Sequence, residues 1–173
     1  MPVIPLTFPR SGPTAAAKLL CFNAPGTLPA SWANEVCSLK IEHVSPETLV
    51  HQEICRRTPP GQQAAKARQR GSAVPDQTLL AILRKWFWAR KPDAGFLLSG
   101  FPATLLHARV FDEWLEAREE ALTGCLCVES EAGAALAVLG FAVAPAVIEH
   151  YRTLGLLLES RRSVPELVCS QLP

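Results

Sequence analysis

Short apolar runs alternate with stretches of helical spacing along this chain of 173 residues. Leu19–Phe22, Ile41–Val44, Phe96–Leu98, Cys125–Val128 and Leu156–Leu158 predict strands buried on both faces. Between them, Ser31–Leu39, Ser45–Cys55, Asp76–Arg90, Thr104–Ala121 and Ala144–Thr153 show the spacing of helices. Gly155 is placed to end the last of these, and a further helix is expected over Val164–Leu172. Strands alternating with helices imply an α/β fold, a parallel sheet covered on both faces. Ligands of such sheets sit beyond the carboxyl ends of the strands. The loop Ala24–Ser31 and the turn Ser99–Pro102 therefore fall on one rim. In Asp76–Arg90, Leu79, Leu80, Leu83, Trp86 and Phe87 make the core-facing stripe, and Trp88 falls off it beside cations. Trp88 reads as a partly covered surface residue; stacking a base or anchoring a partner is the alternative.

Composition narrows the class. Hydrophobic residues at 49% and charged residues at 19% describe one globular domain. A net charge of +1 gives no general reason to bind nucleic acid or a membrane. The charge is unevenly placed, however. Residues 56–91 hold nine Lys or Arg against Asp76 alone, and residues 111–149 hold eight acids against Arg118 alone. Two solvated helix faces are the plainer reading; an anion site or a self-complementary contact is the sharper one.

Six cysteines occur without a C-x-x-C, and Cys125 and Cys127 read as small thiols on one face of a strand. The histidines His43, His51, His107 and His150 are scattered, so no metal is expected. The N-terminus has neither a basic start nor a long apolar core, so no signal peptide is expected and residues 1–17 read as a loose arm. Residues 132–148 are 17 uncharged positions, rich in Ala and Gly and interrupted by Pro145. They read as two buried helix pieces joined near Gly140 rather than a membrane span. A cytoplasmic location is the expectation.

The stretch "FNAPGTLPAS", from Phe22 to Ser31, begins like a phosphate loop: an apolar run, a Pro-Gly turn, then helical spacing. The pattern G-x-x-x-x-G-K-[ST] is nevertheless missing. Further on come "RQRGSAVPDQTLLAILRKWF", "GFLLSGFPATLLHARVFDEWL" and "APAVIEHYRTLGLLLES", followed by "SVPELV". In order and near-family spacing, from about residue 18 onward, these segments resemble the adenylate kinase family of nucleoside monophosphate kinases. The resemblance implies a three-layer, doubly wound fold of the P-loop NTPase type, with five parallel strands over residues 18–173. It also implies a small helical acceptor lobe at about 46–75. The family transfers a phosphoryl group between ATP and AMP with Mg²⁺, closing a lid of arginines over the phosphates.

Taken position by position, the resemblance implies a changed site. Pro25, Gly26, Thr27 and Ser31 match what is left of the phosphate loop, while Pro29 stands at its lysine and Leu28 and Ala30 at two glycines. Ser45, His51, Val74, Gly100 and His107 match acceptor-site positions. Among them His51 replaces an arginine and His107 a glutamine; beside them Ser99 replaces an aspartate and Ala103 an arginine. After Val128 the chain runs almost directly to "APAVIEHY", which leaves no room for a lid. The resulting expectation is a binding or scaffold module without kinase activity, with no cofactor, weak or absent nucleotide binding, and a homodimer or protein partner over the surface a lid would cover. The alternative is a nucleotide kinase or other phosphotransferase of altered specificity that uses ATP with Mg²⁺. It is favoured by five cations in residues 56–70 and by the neighbouring His51 and His107. Binding of nucleic acid through the 56–91 cations and Trp88 is the weakest reading.

Overall fold

A computed structural model describes residues 17–22, 41–127 and 143–158. The loop positions Pro25, Gly26, Thr27 and Ser31, the expected helices Ser31–Leu39 and Val164–Leu172, the expected arm 1–17 except for Ala17, which is buried, and the pieces over 132–142 lie outside the described residues.

Five strands and five helices are described, in the order β1 (Lys18–Phe22), β2 (Glu42–Val44), α1 (Pro46–Cys55), α2 (Pro59–Gln69), α3 (Asp76–Ala89), β3 (Phe96–Ser99), α4 (Leu105–Ala117), β4 (Gly124–Cys127), α5 (Pro145–Thr153) and β5 (Leu157–Leu158). The strands pair in parallel in the order β2-β3-β1-β4-β5. This is the five-stranded parallel sheet expected from the apolar runs. β1 is central, with Leu19, Leu20 and Phe22 fully buried, as a strand covered on both faces requires. After β1 the chain passes to the far edge strand β2, and after β3 it passes to the other side, to β4. The order thus reverses between β1 and β3, the switch point beyond whose carboxyl ends sheets of this kind hold their ligands.

Sequence dictates the helix boundaries through caps. Ser45, Thr58 and Thr104 have extended backbone, and their side chains accept hydrogen bonds from Thr48 N, Gly61 N and His107 N. α5 ends where expected, with Gly155 in the left-handed region at φ 70°.

Two expectations are corrected. α4 stops at Ala117 rather than Ala121: Arg118 caps it, and Glu119 turns the chain at φ 56°, which carries Glu120 into the protein. In α3 the buried face is Thr78, Ile82, Leu83 and Phe87, with Leu79, Leu80 and Trp86 only partly covered. Thr78 can join the buried face because its hydroxyl donates to Gln63 Oε1 of α2 at 3.1 Å. Trp88 is 45% exposed, with the Arg118 guanidinium 5.4 Å from its ring, as a partly covered surface residue should be.

α1, α2 and α3 pack on one another around a buried carboxylate. Glu53 accepts from Thr58 Oγ1 at 2.6 Å and pairs with Lys85 Nζ at 2.9 Å, which ties all three helices together. At the start of α2 a Cβ on Gly61 would overlap the Glu53 carbonyl, so only glycine permits this approach. Gly61→Ala is expected to cost about 1–3 kcal/mol through forced separation of α1 and α2. Urea unfolding of the variant checks this; an unchanged midpoint would show that the two helices separate freely.

Candidate functional site

The chain leaves β2 at Val44, β3 at Ser99 and β1 at Phe22, all on one edge of the sheet. Cys21 of β1 is in register with Ser99, and Gly100 N donates to the Cys21 carbonyl at 3.2 Å. Gly100 takes φ 73°, a region open to glycine, so the chain turns sharply as it leaves the sheet. Phe101, joined to Pro102 by a cis peptide, then runs back into the core.

Two histidines meet this edge. His43 Nε2 lies 2.9 Å from Ser99 Oγ, across the β2–β3 pair. Desolvation holds the His43 ring below its ordinary pKa, so near neutral pH it is uncharged. The pair is therefore a neutral imidazole and a hydroxyl, with Ser99 only 2% exposed. His107, in the first turn of α4, is stacked on Phe101 with ring centroids 5.3 Å apart and planes at 20°. It is 2% exposed, and neither ring nitrogen has a hydrogen-bond partner. Nε2 lies 3.4 Å from Asp76 Oδ1, an ion-pair distance only if the ring is protonated. Buried polar nitrogens left without partners are uncommon and costly.

The matched acceptor positions are placed differently from one another. Ser45 follows β2 on the same edge, buried, with Oγ occupied by Thr48 N at 3.2 Å and Thr48 Oγ1 at 2.8 Å. Gly100 follows β3, and His107 joins it through Phe101. Val74 is partly buried two residues before Asp76, so the approach to α3 reaches His107 through that carboxylate. His51 stands apart from this group: it is exposed on α1 and contacts Cys55 Sγ at 3.6 Å. His43 and Asp76 were missed by spacing. The signal for His43 was the polar pair Glu42-His43 inside a strand run: both are exposed, because β2 is the edge strand and is not buried on both faces as expected.

Three buried groups of the core are held in their neutral forms. Burial pushes the Cys21 thiol up to about 12 and raises Cys125 further, with Asp112 adding to the latter. Tyr151 is likewise raised by burial and by Asp112, to which its hydroxyl donates at 3.1 Å. Among the described residues no three of His, Cys, Asp and Glu form a metal-holding group. None of the described helices is long and apolar enough to cross a membrane.

Known proteins decide the relationship. Over 113 residues, 65% of this chain, it is 31% identical to an adenylate kinase of Prochlorococcus marinus (strain MIT 9313), covering 61% of that protein. It is 32% identical over 113 residues to an adenylate kinase of Moorella thermoacetica, covering 52% of it. The chain is related to the adenylate kinases. A further adenylate kinase, from Clostridium botulinum (strain Eklund 17B / Type B), is 27% identical over the same length. No family-level sequence profile matches the chain. The chain spans about half to three fifths of the length of the adenylate kinases it matches. The parallel sheet with flanking helices is the P-loop NTPase architecture those relatives imply.

Proposed function

We propose that this adenylate kinase relative has lost phosphoryl transfer and works as a binding or scaffold module. The observation that carries the reading is the neutral His43–Ser99 pair at the end of β3, where the resemblance places an aspartate. A hydroxyl engaged by an uncharged imidazole offers no negative charge to a metal–phosphate complex, so this corner does not fit ATP with Mg²⁺. The sequence adds Pro29 at the loop lysine and His51 and Ala103 at two arginines. Phosphoryl transfer depends on positioning and charge stabilisation, and a single arginine clamp is worth roughly 10³–10⁵ in rate. Losing two such groups brings the rate close to background. Without a lid, the surface beside the cleft is left to a protein partner or a second copy, and nucleotide affinity is weak.

The test is conversion of ATP and AMP to ADP. No turnover above a protein-free control is expected, and metal-dependent turnover that travels with the protein through a sizing column would sink the reading. One observation favours the phosphotransferase alternative: the unpartnered nitrogens of His107 offer buried hydrogen-bonding capacity beside the cleft. A thermal-shift screen with ATP, ADP, AMP, other nucleotides and phosphate separates the two. A ligand at 100 times its Kd stabilises the fold by about 2.7 kcal/mol. A large shift with one nucleotide that is lost in His107→Phe would favour the alternative.

A further inference from the structure

His51 and Cys55 are one turn apart on α1, so their side chains share a face of the helix. Both are exposed, and His51 Nε2 lies 3.6 Å from Cys55 Sγ. This is the length of a weak hydrogen bond between thiol and imidazole. It is also the separation a tetrahedral ion demands. Zinc bonds of about 2.3 Å to thiolate and about 2.1 Å to imidazole, at the tetrahedral angle, set sulfur and nitrogen about 3.6 Å apart. A square-planar ion of similar bond lengths would need about 3.1 Å. The separation of the two ligands thus already matches the bite of a tetrahedral site, and only side-chain torsions need to turn for both donors to face one ion.

We propose that His51 and Cys55 form a two-point site for a thiophilic divalent cation of the zinc class. Binding replaces the thiol proton: the sulfur–hydrogen bond breaks, sulfur bonds the metal, and the proton leaves to solvent. Among the described residues no third His, Cys, Asp or Glu joins the pair; in the proposed two-point site water completes the coordination and the ion exchanges readily. Glu53, the nearest carboxylate along the helix, is held by Lys85 and Thr58 and takes no part. Arg56 is directed to Glu53 at 3.6 Å, which draws one of the adjacent cations away from the pair. The site is independent of whether the cleft binds a nucleotide.

Cobalt(II) is the probe, since thiolate ligation gives a near-ultraviolet charge-transfer band that zinc removes by displacement. Reduced, metal-free protein is expected to bind one cobalt(II) per chain with that band. Cys55→Ser should abolish the band, and His51→Ala should weaken binding roughly 100-fold by removing the chelate. Both residues are exposed, so far-ultraviolet circular dichroism of the variants should match the parent. A parent without the band, a Cys55→Ser protein that keeps it, or a His51→Ala protein that binds as tightly as the parent would each overturn the proposal.

Discussion

Glu120→Ala is expected to destabilise the protein by about 3–5 kcal/mol, a large part of the 5–15 kcal/mol typical of a domain. The carboxylate is buried where three cations converge. Lys18 Nζ of β1 is 2.9 Å away, Arg118 Nε at the end of α4 is 2.8 Å away, and Arg90 at the end of α3 donates to it directly. The cations have other partners as well. The Arg90 guanidinium lies 4.6 Å from the Phe87 ring centroid and 4.7 Å from that of Phe96. Arg118 donates to the carbonyls of Phe87 and Arg90. None of these replaces the negative charge. Removing it leaves three buried cations facing one another, and that repulsion makes the loss large.

The same site governs behaviour in acid. Burial alone would raise the Glu120 pKa, but hydrogen bonds from Arg90 and Lys18, and their charges, outweigh it and hold the group below the usual carboxylate range. Glu53 is lowered in the same way by Thr58 and Lys85 against its own burial. A depressed folded-state pKa gives stability that is present above the unfolded value, near 4.3 for glutamate. It is lost as pH falls through the folded value. Urea midpoints measured from pH 7 downward should therefore fall below the ordinary carboxylate range in the parent, and less steeply in Glu120→Gln. Equal midpoints for parent and Glu120→Ala at pH 7 would show that solvent reaches the cluster and screens it.

Sequence made the frame legible because parallel strands buried on both faces must be short apolar runs, and Leu19–Phe22 and Phe96–Leu98 are that. α2 lies in the helical lobe that the resemblance implied at about 46–75, but the apolar pattern alone hid it, for an equally physical reason. Its buried face is Gly61, Ala64 and Ala67, at helical spacing but without bulk, so the pattern "PPGQQAAKARQ" carries almost no apolar signal. The Thr58 cap followed by Pro59 was its only readable mark. Charge was misread in part. The basic and acidic segments are not simply two solvated faces: Arg90 from one meets Glu120 from the other across 30 residues of chain. Of the site, Gly100 and His107 were legible through the resemblance. The His43–Ser99 pair was not, because it is made by two strands 56 residues apart that only the sheet order brings together.

Phe111→Ala should cost about 3–5 kcal/mol, the usual range for deleting a buried ring. Phe111 of α4 is the hub of the aromatic core. Its ring centroid lies 5.6 Å from that of Phe87, 6.3 Å from Phe96, 5.8 Å from Phe101 and 6.1 Å from Trp114, with interplanar angles of 73° to 84°. These edge-to-face contacts join α3, β3 and the turn that follows β3. Phe111→Leu keeps most of the volume and should cost less than about 1.5 kcal/mol. Urea unfolding of the two variants measures the difference, and an alanine variant within 1 kcal/mol of the leucine one, a threshold set by the gap between those ranges, would mean the core closes over the cavity. The effect should also reach the candidate site. Phe101 packs against both His107 and Phe111, one turn apart on α4, so the cavity frees Phe101 to move and exposes the His107 ring. The His107 proton resonances should broaden in Phe111→Ala and stay sharp in Phe111→Leu. Sharp signals in both would show that the β3 turn is fixed by its own backbone and owes nothing to the aromatic core.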